Sequence, residues 1–294
     1  MTTAPMTTTP VPGGSAWRRF WARGRWWKAL LAVVGYLGLY ELAGFLLGWA
    51  FGDRVGDDIF ASPTTVLFGL GAPLIVGAVI LVVFVWTSGL ARPVFARQTA
   101  SRRWWMWIAV ALVVAPIVLQ LIGTDYGLYA AGVVPMSFFV GLFIGFTEEI
   151  LYRGIVVTVL REAGHREWTV AVVSSAVFGL SHSVNIFTGQ SPLIVGLTVL
   201  IAFGFGMMMY LTMRVTGSII WPMILHAVTD PTTFLVSGGI DEDLRNAHNP
   251  FLDAAAPFNI ILIPAALIAV ALLGRRSVDA CTRSRIRGAP AEHP

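Results

Sequence analysis

Long apolar stretches separated by short polar links dominate the chain. Because about twenty apolar residues cross a bilayer, this pattern predicts eight membrane-spanning helices. They cover approximately residues 28–51, 64–89, 104–123, 130–161, 167–185, 192–213, 217–233 and 257–274. The seventh is short and contains Pro222, which favours a tilted or broken helix. The predicted fold is therefore all-α, a polytopic membrane helix bundle of about eight helices.

The segments that flank this bundle differ from it in composition. Residues 1–16 are rich in Thr, Pro and Gly, which predicts a disordered tail. Residues 17–27 interleave Arg with Trp, a mixture typical of an interfacial anchor with its aromatic rings at headgroup level. Residues 275–294 form a basic C-terminal tail. The transmembrane domain is expected between them, at 28–274.

The basic residues also predict the orientation of the chain. With eight spans, all but three of the 20 Lys and Arg residues fall on one side, and the exceptions are Arg54, Arg153 and Arg245. The opposite links are acidic. Because cytoplasmic loops of membrane proteins are enriched in Lys and Arg, we expect both termini to be cytoplasmic.

Composition agrees with the membrane assignment. The chain has 294 residues, of which 56% are hydrophobic and only 12% are charged, and its mean hydropathy is +0.74. Soluble domains carry about 25% charged residues. The net charge of +4 is therefore expected to meet anionic lipid rather than nucleic acid. The single cysteine, Cys281, excludes an internal disulfide.

Three charged residues interrupt the fourth apolar stretch, namely Glu148, Glu149 and Arg153. A bare charge inside a bilayer costs at least about 2.5–3.5 kcal/mol, so these groups must pair or serve a function. Glu149 and Arg153 are four residues apart on a helix and can form an ion pair. Glu148 is rotated by about 100° and remains as a free carboxylate that could act as a general base. The alternative is a purely structural buried triad.

Two later helices carry further polar groups. His182 follows Phe178 by four residues, and Asp230 follows His226 by four, so each pair shares a helix face. Measured from the basic side, Glu148, His182 and His226 lie at depths of about 20, 22 and 14 Å. We therefore predict that the three helices bring these side chains together at one catalytic cavity near mid-membrane.

The chemistry of this predicted site has two interpretations. His182, His226 and Asp230 could bind Zn²⁺, or they could hold a water molecule that Glu148 activates for attack without a metal. The sequence leaves both open. Asn185 is expected to border the site, and Glu41, midway along the first helix, could line the same cavity or pair elsewhere.

The ordered motifs resemble those of a known family. Glu148-Glu149-x-x-x-Arg153, then Phe178-x-x-x-His182, then His226-x-x-x-Asp230 on successive hydrophobic segments resemble the CPBP intramembrane protease family. This family includes CAAX prenyl endopeptidases and Abi-like proteins linked to bacteriocin processing or immunity. One position differs, because the eukaryotic CAAX enzymes carry Asn where this chain has Asp230. An ionised carboxylate cannot donate a hydrogen bond, which favours metal ligation or orientation of His226 over an oxyanion hole.

The resemblance implies an intramembrane endopeptidase, named a metalloprotease in this family, whose eight helices enclose a catalytic cavity and whose motif core lies at residues 130–233. Its substrate would be a membrane-associated or prenylated, CAAX-like protein or peptide, and Glu148 would activate the attacking water. Membrane lipids are the other expected partner, and the sequence does not define the oligomeric state. Two alternatives are a non-catalytic scaffold or bacteriocin self-immunity protein, and a proton-coupled transporter. Against the transporter, the sequence shows no inverted repeat.

Overall fold

The computed structural model describes residues 15–55, 58–237 and 246–287. Residues 1–14 of the predicted disordered tail and 288–294 of the predicted basic tail lie outside the described residues. Within the described ranges the chain folds into helices and contains no β-strand. The predicted all-α, polytopic helix bundle is therefore confirmed.

Nine main helices follow one another along the described chain. They are α1 (Ala16–Ala22), α2 (Trp26–Phe51), α3 (Pro63–Ser88), α4 (Trp107–Gly123), α5 (Val133–Glu162), α6 (Glu167–Ser181), α7 (Pro192–Thr216), α8 (Ile220–Ser237) and α9 (Pro257–Arg287). Short helical segments connect or extend them: Gly52–Arg54, Ala91–Val94, Trp104–Met106, Tyr126–Leu128, His182–Thr188 and Pro250–Ala255. Two helices contain π-helical turns, at Leu67–Gly71 in α3 and Ile150–Val156 in α5.

Seven helices of the described chain are long and apolar enough to cross a membrane, and α8 is not among them. Its polar residues, which include His226 and Asp230, lower its apolar character. Nevertheless α8 runs from one end of the bundle to the other. Three residues before its start, the Gln98 backbone N–H donates to the Gly217 carbonyl, and near its end Tyr129 donates to the Leu235 carbonyl. The seventh predicted segment thus forms a helix that traverses the bundle.

One end of the bundle is basic and tightly cross-linked. The Arg161 guanidinium contacts Glu167 at 2.8 Å and donates to the Gln98 side chain at 2.6 Å. Arg214, from the end of α7, donates to the Ser101 carbonyl at 2.6 Å. We call this the basic end. At the opposite end Asn249 donates to the carbonyl of Gly123, where α4 ends. The alternation of helix directions places the starts of α2, α4, α6 and α8 at the basic end.

Close contact between α5 and α8 determines where the site forms. A Cβ atom on Gly145 would collide with the Met223 carbonyl and the Ala227 backbone, and one on Gly141 would collide with Pro231 and the Ala227 carbonyl. Small residues therefore allow these two helix backbones to touch, as the Gly141/Gly145 spacing predicts. The contact holds the two motif-bearing helices side by side.

Candidate active site

The site begins where the α-helical part of α5 gives way to its π-helical turn. Glu148 and Glu149 are the last residues before Ile150–Val156. Such π-bulges occur frequently at functional sites, because the extra residue changes the direction in which neighbouring side chains point. The two carboxylates have different surroundings: the Glu148 side chain is 28% exposed, and that of Glu149 is fully buried. Glu148 is thus the more accessible of the two carboxylates.

Arg153 holds the buried carboxylate in place. Its Nη1 lies 3.1 Å from Glu149 Oε1, and both side chains are fully buried. Its Nη2 donates to the Gly206 carbonyl at 3.0 Å, and its guanidinium lies 4.6 Å from the centre of the Phe178 ring. Gly206 leaves room for this arrangement, since an added Cβ would stand 3.2 Å from Nη2. The predicted Glu149–Arg153 ion pair is thus present and is anchored to α7.

His226 joins the carboxylates of two helices. Its Nδ1 lies 2.9 Å from Glu149 Oε1, and its Nε2 lies 3.4 Å from Glu148 Oε2 and 3.6 Å from Asp230 Oδ2. The ring is only 2% exposed. The first and third motifs therefore converge, although they are 77 residues apart in sequence.

The partners of His226 define what the ring can do. Both of its nitrogens face carboxylate oxygens, which can only accept hydrogen bonds when ionised. Only the doubly protonated ring donates from both nitrogens at once. The cluster then contains the three carboxylates of Glu148, Glu149 and Asp230, balanced in part by two cations, Arg153 and His226. The arrangement suits an imidazolium whose Nε2–H points toward the exposed part of the cluster.

His182 stands at the junction between α6 and the helical turn that follows it. Its Nδ1 lies 3.0 Å from the Phe178 carbonyl. A carbonyl only accepts, so Nδ1 carries the hydrogen and the neutral ring keeps a lone pair on Nε2. His182 interacts electrostatically with Glu148, as do His226 and Asp230. The second motif therefore lies within electrostatic range of the same carboxylate as the third.

Two phenylalanines form the apolar wall of the site. The Phe178 ring meets the His182 ring edge-on at 5.0 Å and the His226 ring at 5.9 Å between centroids. Phe205 lies next to Phe178 and meets the His226 ring at 4.8 Å. Aromatic rings in these orientations fix an imidazole without competing for its hydrogen bonds. Phe178 thus supports both histidines and Arg153.

Three tyrosines near the site were not predicted from the sequence. Tyr36 and Tyr40 of α2 and Tyr152 of α5 interact electrostatically with Glu148. Tyr152 also donates to Ser181 at 2.6 Å. The spacing of the two α2 tyrosines, four residues apart in the middle of an apolar helix, was a signal that could have found them.

Two residues of secondary interest have different outcomes. Glu41, which could have lined the cavity, is exposed on the outer face of α2 and interacts electrostatically with Tyr40. Asn185 is partly buried in the helical turn that follows His182. Glu41 is therefore set apart from the His226 cluster, whereas Asn185 stays beside the second motif.

The other predicted role of the site is Zn²⁺ binding by His182, His226 and Asp230. Among the described residues, no group of three or more His, Cys, Asp and Glu side chains is arranged so that it could hold a metal ion. Each histidine uses Nδ1 for a hydrogen bond, His226 with Glu149 and His182 with the Phe178 carbonyl, so Nε2 is the nitrogen that could bind a metal. Zn²⁺ binding by His182, His226 and Asp230 stays a prediction.

The three motifs lie within a stretch of the chain that matches a known protein family. Residues 130–232 match the family model described as Rce1-like, type II CAAX prenyl endopeptidase Rce1-like. The match includes all three motifs and about a third of the chain. No curated protein and no solved structure matches the chain. The family match confirms the resemblance that the motifs carry.

Proposed function

We propose, on the premise that residues 130–232 belong to the Rce1-like family of CAAX prenyl endopeptidases, that this protein hydrolyses a peptide bond with a water molecule activated by Glu148. The family supports an intramembrane endopeptidase in general. One observation carries the finer proposal: a partly exposed carboxylate, Glu148, lies 3.4 Å from a buried imidazole that Glu149 and Arg153 hold in place.

Glu148 and His182 are positioned for the first step. The Glu148 carboxylate accepts a proton from water while the water oxygen attacks the carbonyl carbon of the peptide bond. The lone pair on His182 Nε2 accepts a hydrogen bond from the second hydrogen of the same water and so orients the water molecule. General-base catalysis of this kind contributes about 10²–10⁴-fold to the rate.

His226 is positioned for the negative charge that develops next. Attack converts the carbonyl oxygen to an oxyanion, and the Nε2–H of a protonated His226 can donate to it. When the C–N bond breaks, the leaving nitrogen takes the proton that Glu148 received from water. The products are an amine and a carboxylic acid, which loses its remaining proton to the amine or to solvent, and Glu148 is left ready for another turnover.

Asp230 and Glu149 act on the reaction through His226. With both carboxylates beside the ring, its charged form is stabilised and its orientation is fixed. Asn at position 230, as in the eukaryotic CAAX enzymes, would offer an amide donor to the oxyanion instead. We therefore assign Asp230 as a positioning residue for His226.

The substrate and the orientation are proposed together. A CAAX-type family implies a prenylated or otherwise membrane-associated peptide, whose lipid would lie in the bilayer beside the bundle. We place the basic end in the cytoplasm, because cytoplasmic links are enriched in Arg and Lys. The chain is then an integral membrane protein with both termini in the cytoplasm.

Replacement of Glu148 tests the proposal. Glu148→Gln keeps the shape of the side chain but removes the base, so hydrolysis of a farnesylated CAAX-type peptide by the purified protein should fall by about 10²–10⁴-fold. Glu41→Gln is the matched control, since it removes a carboxylate from the outer face of α2, and it should retain wild-type turnover. Both variants should unfold at the wild-type temperature.

The opposite outcomes point to the alternatives. Turnover by Glu148→Gln at the wild-type rate would refute the mechanism. A biological activity that survives this substitution, in a protein without hydrolytic activity, would indicate the scaffold or immunity role. Proton-coupled uptake into vesicles that depends on Glu148 would indicate the transporter.

A further inference from the structure

A group of basic residues surrounds the link between α1 and α2, remote in sequence from the catalytic motifs. Here a cavity of about 370 Å³ opens beside the link between the two helices. Its lining combines four basic residues with two aromatic rings and one alanine: Arg19, Arg23, Arg25, Lys28, Phe20, Trp27 and Ala16. Among the described residues no acidic side chain lines this cavity, and the proposed catalytic mechanism makes no use of it.

Lys28 forms the fixed part of the cavity. The residue is only 3% exposed. Its ammonium donates to the carbonyls of Phe20 and Arg23, the latter at 2.6 Å, and lies 4.2 Å from the centre of the Phe20 ring. An ammonium has three donors, so these two hydrogen bonds leave one for another acceptor. The position of this cation is therefore set by the protein before any ligand arrives.

The charge around Lys28 is strongly one-sided. Arg23 and Arg25 both repel its ammonium, whereas Glu162 attracts it. Like charges held together are unfavourable, and more so where the surroundings exclude water. Arg23 and Arg25 are exposed at the mouth of the cavity. An anion bound among these cations would remove the repulsion.

The cavity is also held rigidly against the bundle. Trp21 is 2% exposed and packs edge-on against Phe84 at 4.8 Å. Arg18 donates to the Thr87 carbonyl at 3.3 Å. Gly24 approaches the backbone at Glu162 so closely that an added Cβ would collide with it. The link between α1 and α2 therefore docks onto the end of the helix that carries Glu148.

The tryptophans around the cavity indicate which molecule could supply the anion. Trp17, Trp26 and Trp27 are 43%, 58% and 39% exposed. Exposed tryptophans at the end of a transmembrane helix lie at the level of lipid headgroups. The cavity therefore opens at the depth at which lipid phosphates lie.

We infer that the cavity formed by Arg19, Arg23, Arg25 and Lys28 binds one phosphate group, supplied by the headgroup of an anionic phospholipid. Guanidinium groups pair with phosphate oxygens through two parallel hydrogen bonds, and the Lys28 ammonium adds a point charge. Binding would hold α1 and the end of α5 at a defined depth in the membrane. The inference does not depend on the proposed catalytic activity.

Native mass spectrometry of the full chain, released from nanodiscs, tests this site. The nanodiscs contain phosphatidylcholine with 20% phosphatidylglycerol, and the readout is the number of phosphatidylglycerol molecules retained per chain. Each guanidinium that pairs directly with the bound phosphate is expected to strengthen its retention about fivefold, whereas arginines outside the cavity make no such pair. Arg23→Gln/Arg25→Gln should therefore weaken retention of one phosphatidylglycerol about 30-fold.

The control removes the same charge elsewhere at the basic end. Arg92→Gln/Arg97→Gln replaces two exposed arginines that do not line the cavity, and it should retain the lipid within about threefold of wild type. Equal losses in both variants would refute a defined site, since they would reflect general surface charge. Full retention by the cavity variant would also refute it.

A second arm separates lipid from free phosphate. In phosphatidylcholine nanodiscs, inorganic phosphate at millimolar concentration is added, and protection of the protein from thermal unfolding is measured. If phosphate protects wild type but not Arg23→Gln/Arg25→Gln, while phosphatidylglycerol is not retained, the lipid proposal is wrong and the ligand is free phosphate. If phosphatidylglycerol is retained specifically and inorganic phosphate does not displace it, the headgroup assignment is supported.

Discussion

Replacement of Gly145 by alanine should disable the site without touching any of its polar groups. Gly145 lies on α5 one helical turn before Glu149, where α5 meets α8. A Cβ atom at this position would stand 2.7 Å from the Ala227 nitrogen and 3.0 Å from its Cα, and closer still to the Met223 carbonyl. Because all three are backbone atoms, they can move away only if the helix moves with them.

The geometry gives the size of the effect. Comfortable contact between such atoms begins at about 3.5 Å, so α8 must retreat by about 1 Å. His226 lies one residue before Ala227, and its 2.9 Å hydrogen bond to Glu149 would lengthen beyond the normal limit of about 3.2 Å. A misplacement of about 1 Å in a catalytic group costs about 100-fold in rate. The tighter packing should also lower the free energy of unfolding by about 1–3 kcal/mol.

Two measurements check this prediction. One is kcat for a farnesylated CAAX-type peptide, and the other is thermal unfolding of the purified protein in detergent. The control is Gly196→Ala in α7, where an added Cβ would meet no other atom within 4 Å. Gly196→Ala should match wild type in both measurements, whereas Gly145→Ala should lose about 100-fold in kcat.

A second substitution, Ala227→Gly, distinguishes a backbone collision from side-chain crowding. If the collision involves backbone alone, removal of the Ala227 side chain cannot relieve it, and Gly145→Ala/Ala227→Gly should stay as inactive as Gly145→Ala. Restoration of activity by Ala227→Gly would show that side-chain crowding, not helix separation, caused the loss. Wild-type kcat in Gly145→Ala itself would show that the contact does not position His226.

The remaining predictions concern the charged groups of the site. Arg153→Leu removes one of the two cations beside the buried Glu149 carboxylate, so the free energy of unfolding should fall by about 3–5 kcal/mol; thermal unfolding measures this, and a loss below 1 kcal/mol would contradict a buried pair. Asp230→Ala should lower kcat about 10–100-fold through a less well-oriented His226, whereas Asp230→Asn should keep more activity; equal kcat in both variants would contradict the positioning role. Because the proposed route uses protein groups alone, EDTA should leave hydrolysis within twofold of the untreated rate; a loss that Zn²⁺ restores would instead assign the motif histidines as metal ligands.

Much of the fold could be predicted from the sequence because bilayer thickness constrains helix length. Each predicted apolar segment corresponds to a helix, from 28–51 at Trp26–Phe51 to 257–274 within Pro257–Arg287. The α8 helix was harder to assign, since its polar residues lower the apolar signal that identifies a membrane span. What shows that it crosses the bundle is tertiary contact at its two ends, which hydropathy does not contain.

In the candidate site too, contacts within one helix could be predicted from the sequence, whereas contacts between helices could not. The Glu149–Arg153 pair was predictable because both residues lie on one helix, where a spacing of four guarantees proximity. The bond between Glu149 and His226 was not, because it depends on how closely α5 and α8 approach. The glycines at 141 and 145 indicated close packing but did not name the partner helix. Pairing within a helix can therefore be predicted from spacing, whereas the second role of Glu149, as the acceptor that orients His226, required the packed structure.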